Sequence, residues 1–274
     1  MCNVFAMQDD ALDGAVGPGA QVAGETRRRI VDALHSVNHG EGVACGVPLV
    51  DAWADVWQRL VARRSPAWRD RLLLHHDEFW LRGFIRDAHV NRTRTPTALD
   101  EYNDMKLEVG GVLPMLDYAE FAGDFELPPW LYQNDVIQRM RRECALAGSY
   151  INDVTSVEKD DARGEVSNVV FTLQNEYQCT RTEAIEKALG LIQRGIYRLQ
   201  RQGAELDPMF TSLGLDEDQR HHVRQYVRGI QDFLVGTFRW QRVSRRYCDH
   251  GVLAPHRATY PDEVVAPTAP CERS

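Results

Sequence analysis

The chain has 274 residues, a formal net charge of −8, and a composition that is 43% hydrophobic and 26% charged. This length allows one large domain or two ordinary ones, and the apolar fraction is sufficient for a buried core. The acidic balance argues against a nucleic-acid partner, which would need a basic face to meet phosphates.

No apolar run approaches the roughly 18 residues of a membrane span, and the N-terminus lacks the basic region of a signal peptide. Six cysteines are scattered without C-x-x-C spacing. In a chain of this length they indicate reduced thiols, not a disulfide framework or a zinc site. We therefore expect a cytoplasmic protein without a membrane span, and the sequence leaves a homodimer open.

Helical patterns follow one another in the first half of the chain, and strand patterns are almost absent. Helices are predicted near residues 24–37 and over 48–60. Ser65-Pro66 then reads as an N-cap followed by proline at the first helical position. Another helix is predicted from Thr97, with an interruption at Gly110.

The second half continues in the same way. Pro128-Pro129 is predicted to open a long helix that runs past Asp160. Thr180 and Glu183 form a capping box, and the last helix is predicted from about Asp216. The proline-rich segment 249–274 is predicted to be a disordered tail, so residues 1–248 are predicted to form one all-α domain.

The predicted long helix carries a polar stripe. Asn152, Ser156 and Asp160 are four residues apart, so they spread over only about 80° of the helix surface. Amide, hydroxyl and carboxylate oxygens are hard ligands of the kind that magnesium takes. Near the start of the chain, Asp9 and Asp13 also share a helix face, with Asp10 beside them. Two such stripes on facing helices would make a magnesium site, and a diphosphate would be the natural ligand to share the coordination sphere of the ion.

Four motifs in this order resemble the bacterial class I terpene synthases (terpene cyclases). They are DDALD at 9–13, PTALDEYNDMKLEVG at 96–110, NDVTSVEKD at 152–160 and SRRY at 244–247. The resemblance implies a single-domain class I terpenoid-synthase helical barrel with an apolar, aromatic-lined centre. It implies that a prenyl diphosphate, most often farnesyl diphosphate, is ionised and cyclised with release of diphosphate.

The resemblance also implies the roles of individual residues. It implies three magnesium ions in the presence of diphosphate, and places Gly110 at a helix break that senses the departing group. It assigns the metal ligands as Asp9, Asp10, Asp13, Asn152, Ser156 and Asp160, and the diphosphate-binding residues as Lys106, Lys159, Arg246 and Tyr247, the last two of them also catalytic.

The sequence departs from the family pattern in three features, two residues and the length of the N-terminal segment. Asp160 stands where glutamate is usual, and Lys106 replaces an arginine, so it offers a point charge but no planar fork. Family members carry helices before the aspartate-rich motif, whereas eight residues precede Asp9 here. We therefore expect a domain that is truncated at its N-terminus.

Two alternatives remain open from the sequence. A chain-elongating prenyl diphosphate synthase needs a second aspartate-rich motif, which NDVTSVEKD is not. A degenerate or truncated homologue would bind metal and diphosphate without efficient turnover. His35 and His39 are also four residues apart, but without an H-E-x-x-H motif we expect no metal role for them.

Overall fold

The computed structural model shows an all-α protein, as predicted. Within the described residues the chain forms helices and no strand. None of these helices is both long enough and apolar enough to cross a membrane. The structure describes residues 20–41, 47–83, 86, 89–90, 97–244 and 247, without the side chains of residues 20–27 and 163.

The chain divides into two compact units, with the boundary between Leu81 and Arg82. In the first unit, Trp53 and Trp68 are buried and anchor the core. Ser65 caps a helix as predicted, because its side chain accepts a hydrogen bond from the Trp68 N–H. The described helices of this unit are α1 (Ala20–Asn38), α2 (Pro48–Val61) and α3 (Pro66–Asp77). A π-helix (Glu78–Gly83) follows in the chain and contains the boundary.

The second unit is built around one long helix, α7. Its buried face carries Ile137, Met140 and Cys144, in one apolar cluster with Ile230 and Leu234 of the last helix. The helices of this unit are α4 (Leu99–Val109), α5 (Val112–Gly123), α6 (Pro129–Tyr132), α7 (Asp135–Arg163), α8 (Val169–Tyr177), α9 (Arg181–Gly203), α10 (Leu206–Ser212) and α11 (Glu217–Val243).

The caps of these helices largely follow the sequence. The Thr180–Glu183 capping box is present at the start of α9, and Asp216 caps α11. The predicted start of the long helix was wrong, because Pro128-Pro129 opens only the short α6. Asn134 then accepts a hydrogen bond from the Val136 N–H, and this new cap starts α7.

Candidate active site

The polar stripe predicted on the long helix lies in the last third of α7. Ser156 and Asp160 are both buried, and the Ser156 hydroxyl donates to Asp160 Oδ2 at 2.7 Å. Among the described residues, the cation that pairs with this carboxylate is Lys159, whose Nζ lies 3.8 Å from Oδ1. That distance is beyond a hydrogen bond, so the carboxylate is held mainly by neutral donors.

One of these donors was not predicted. The Asn168 amide donates to Asp160 Oδ2 at 2.9 Å and to the Asp153 carbonyl oxygen at 2.8 Å. Gly164, with φ of 71°, ends α7 in the left-handed region and lets the chain turn back on the helix. The side-chain oxygen of Asn168 also caps α8 by accepting from the Val170 N–H. Asn168 therefore fixes the carboxylate that the sequence assigned to the metal.

Asn152 and Tyr247 lie together although they are 95 residues apart in the chain. The Asn152 amide nitrogen donates to the Tyr247 phenol oxygen at 2.9 Å. The phenol ring packs edge-on against Trp240 at a centroid distance of 5.9 Å. The structure thus brings one residue of the predicted metal stripe to one residue of the predicted Arg-Tyr pair.

The oxygens of this stripe fit a magnesium ion. The Asn152 amide nitrogen makes the contact with Tyr247. No described residue donates to the side-chain oxygen of Asn152. The Asp160 carboxylate keeps Oδ1 without a hydrogen bond from the described part of the chain. With the Ser156 hydroxyl, this gives three hard oxygen donors on one helix face.

Lys106 has a partner that the sequence did not reveal. Its ammonium lies 3.1 Å from Asp153 Oδ1, and both side chains are largely buried. The Tyr102 hydroxyl and the Val169 N–H both donate to the other carboxylate oxygen, Asp153 Oδ2. Lys106 therefore helps to hold α4 against α7 and the start of α8.

The helix break at Gly110 is present between α4 and α5. A Cβ atom at this position would lie 2.6 Å from the Lys106 carbonyl oxygen and 2.8 Å from Ser149 Oγ. Glycine is therefore required for the chain to pass so close to α7. Within the described part of the chain, the buried Ser149 hydroxyl has no hydrogen-bond partner. The helix break at Gly110 therefore lies against Ser149 of α7, three residues before Asn152.

Four of the predicted site residues lie outside the described part of the chain. They are Asp9, Asp10, Asp13 and Arg246, and the predicted disordered tail 249–274 lies there too.

Known proteins similar to this chain are terpene synthases. A family model described as terpene synthase family 2, C-terminal metal binding, matches residues 1–197. Pristinol synthase from Streptomyces pristinaespiralis is 29% identical over 255 residues, which cover 91% of this chain and 67% of that protein. A (−)-β-caryophyllene synthase from Saccharothrix espanaensis, named as (2E,6E)-farnesyl diphosphate cyclizing, is 25% identical over 95% of this chain and 73% of its own length.

Solved structures show the same fold. The crystal structure of an α-eudesmol synthase matches with a TM-score of 0.75 and 24% identity, over 88% of this chain and 77% of that one. This match confirms the all-α terpenoid-synthase fold expected from the motifs.

Proposed function

The chain belongs to terpene synthase family 2, and we propose that it ionises farnesyl diphosphate and cyclises the resulting cation. It is a class I terpene synthase, a lyase that releases diphosphate, and the resemblance carried by its four motifs is confirmed. The choice of a C15 substrate is supported by the relative that is named for cyclising (2E,6E)-farnesyl diphosphate.

The metal ligands in this proposal are Asn152, Ser156 and Asp160, with Asp9, Asp10 and Asp13 from the aspartate-rich motif. Magnesium bound there, as three ions with the diphosphate, supplies positive charge against the negative charge of the leaving group. The observation that carries the proposal is the shared helix face of Asn152, Ser156 and Asp160, joined to Tyr247 by a hydrogen bond.

The diphosphate in this proposal is held by donors around the stripe. Asn152 donates to the Tyr247 phenol oxygen, which sets this side chain beside the stripe, where its O–H can donate to a phosphate oxygen. Lys159 offers an ammonium beside Asp160, and Arg246 offers the planar fork that matches phosphate geometry. Lys106 has three N–H donors, and its contact with Asp153 leaves donors for a phosphate oxygen.

The residues at the helix break orient the departing group. Gly110 allows close approach of the backbone to α7, and beside it lies the Ser149 hydroxyl, for which the described residues offer no hydrogen-bond partner. The protein supplies no nucleophile in this scheme, and the cation survives because apolar and aromatic side chains exclude water and face its charge.

We treat residues 1–248 as one catalytic domain. The matched family model covers residues 1–197 and so continues across the boundary at Leu81, which supports one domain along the sequence.

The proposal is tested with the full chain, magnesium and farnesyl diphosphate, using gas chromatography with mass detection. We expect cyclic sesquiterpene products and free diphosphate. Asp160→Asn keeps the shape of the side chain but removes its charge, so turnover is expected to fall by about 10²–10³-fold.

The matched control is Asp161→Asn. Asp161 is the next carboxylate on α7, but it is exposed and pairs with Arg181 at 3.1 Å. Its variant should keep turnover within about twofold, because an exposed ion pair contributes little. Equal turnover in the two variants would remove Asp160 from the metal site, and a longer linear diphosphate as product would indicate chain elongation instead.

A further inference from the structure

We propose that the first unit contains a second metal site, for a transition-metal ion such as Zn²⁺, formed by His35, His39 and Asp77. None of these residues belongs to the magnesium stripe. The sequence argued against a metal role for the two histidines because no H-E-x-x-H motif is present. It could not show that a third ligand comes from a different helix. In the structure, one ligand atom from each of the three side chains lies within 4.8 Å of the other two.

The two histidines are held on one face of α1. The His39 N–H donates to the His35 carbonyl oxygen at 3.0 Å, so helical spacing continues one residue beyond Asn38. The imidazole centroids are 4.1 Å apart. Gly40, with φ of 75°, then ends the turn, and the Trp53 indole donates to Asn38 at 2.7 Å. The end of α1 is therefore fixed against α2.

Asp77 is the last residue of α3 and meets both rings. Its Oδ2 lies 3.0 Å from His39 Nε2, and its Oδ1 lies 3.8 Å from His35 Nε2. Zinc–ligand bonds of about 2.0–2.1 Å in a tetrahedron separate neighbouring ligand atoms by about 3.3 Å. The two observed distances lie on either side of this value, so small side-chain rotations would close the site.

The hydrogen bond between His39 and Asp77 Oδ2 explains only part of this arrangement. Asp77 Oδ1 is buried and has no hydrogen-bond partner among the described residues, although it faces His35. Two charged imidazoles at this distance would repel each other, whereas two neutral imidazoles can both direct a lone pair at one cation. Asp77 Oδ1 can then coordinate the same cation as the two imidazoles.

The donor set selects the kind of metal. Two imidazole nitrogens and one carboxylate suit zinc, cobalt or nickel, whereas magnesium prefers oxygen alone. The three side chains are between 25% and 33% exposed, so water can fill the fourth position. A bound ion would tie the end of α1 to the end of α3 and stabilise the first unit.

The test uses the full-length, metal-stripped protein in excess Mg²⁺, which keeps the magnesium ligands occupied. Zn²⁺ binding is measured by calorimetry, and Co²⁺ binding by its visible absorption. We expect one tight site per chain, a raised thermal midpoint with Zn²⁺, and Co²⁺ bands without thiolate charge transfer. His39→Ala and Asp77→Asn should each weaken binding by at least about 100-fold, since even outer partners of a site can matter by 10–100-fold.

The matched controls are His221→Ala and Asp70→Asn. His221 is an exposed histidine of α11, and Asp70 is an exposed carboxylate on the same helix as Asp77. Both controls should bind Zn²⁺ like the parent. Parental affinity in His39→Ala or Asp77→Asn, or a thiolate band with Co²⁺, would overturn the proposal. Asp77→Asn is close to isosteric, so it decides the matter even if His39→Ala folds poorly.

Discussion

The two halves of α7 bury charged side chains in different ways. In the first half, Arg141 is buried against Asp117 at 2.9 Å, and the Tyr132 and Tyr226 hydroxyls complete the network. In the second half, Asp160 receives hydrogen bonds from Ser156 and Asn168, which carry no charge. Burial alone therefore does not distinguish the structural network of Arg141 from the proposed metal ligand Asp160. For these two residues, the charge of the direct hydrogen-bond partner does.

The electrostatics of the first half agree with a closed network. Burial lowers the pKa of the Arg141 guanidinium, but the Asp117 carboxylate and the two tyrosines outweigh this effect and raise it above its ordinary value. For the Tyr226 hydroxyl, burial has the opposite effect and raises the pKa, so this group stays protonated. The raised pKa keeps the Arg141 guanidinium charged, and the Asp117 carboxylate beside it is the main group that stabilises this charge.

The largest expected effect is on stability in the first half. Arg141→Met leaves the Asp117 carboxylate buried without its cation, so the free energy of unfolding should fall by about 3–5 kcal/mol. Urea denaturation followed by circular dichroism measures this change. Replacing Asp117 with leucine in the same protein should recover much of the loss, because no unpaired charge then remains.

The control for this experiment is Arg142→Met. Arg142 is the next residue on α7, half exposed and 3.4 Å from the exposed Asp104. Its variant should stay within about 0.5 kcal/mol of the parent. If Arg141→Met is equally mild, the first half of α7 is not a closed structural network and the comparison between the halves fails.

An intermediate effect is expected at Lys106, which forms a buried ion pair with Asp153 and is also a proposed diphosphate-binding residue. Lys106→Met removes this ammonium from Asp153, and a hydrogen bond to a charged group contributes about 1.5–3 kcal/mol to the free energy of unfolding. We also expect a smaller rise in thermal midpoint on adding magnesium with diphosphate. Lys187→Met, on the exposed face of α9, should leave both measurements near those of the parent.

The two measurements separate the roles of Lys106. A loss of unfolding free energy with a parental response to diphosphate would limit Lys106 to holding α4. The reverse result would limit it to the ligand and make the Asp153 contact incidental.

The smallest effect is expected at Tyr247. Tyr247→Phe removes the phenol oxygen that Asn152 contacts and the proton proposed for the diphosphate, so kcat/KM should fall by about tenfold, or about 1.4 kcal/mol. The free energy of unfolding should hardly change. Tyr197→Phe is the control, because Tyr197 is 60% exposed on α9. A parental kcat/KM with a lower unfolding free energy would show that Tyr247 is a packing residue.

The sequence predicted those features that depend on local spacing. The stripe from Asn152 to Asp160, the capping box at Thr180 and the break at Gly110 all follow from helical period or backbone conformation. The start of α7 was missed because a proline pair and an asparagine cap compete within six residues. Proline is favoured at the first helical position of any helix, however short.

The partners of the stripe could not be predicted in the same way. The Tyr102 hydroxyl reaches Asp153 across 51 residues, and Asn152 reaches Tyr247 across 95. Such pairs depend on how helices pack, which no periodicity encodes. Asn168 did carry a local signal, as an asparagine just before an apolar run, but that signal indicates a cap and not a second contact.

The double contact of Asn168 narrows what evolution or design can place at that position. Serine, threonine and aspartate all cap helices well, yet aspartate has no proton to donate to Asp160. Serine and threonine have one short donor, whereas Asn168 gives hydrogen bonds to both Asp160 and the Asp153 carbonyl while its oxygen caps α8. Glutamine has the same groups one methylene too far from the backbone for the cap. Substitutions that preserve only the helix cap would thus release the carboxylate of the proposed metal ligand Asp160, so capping propensity alone does not tell which residues position 168 accepts.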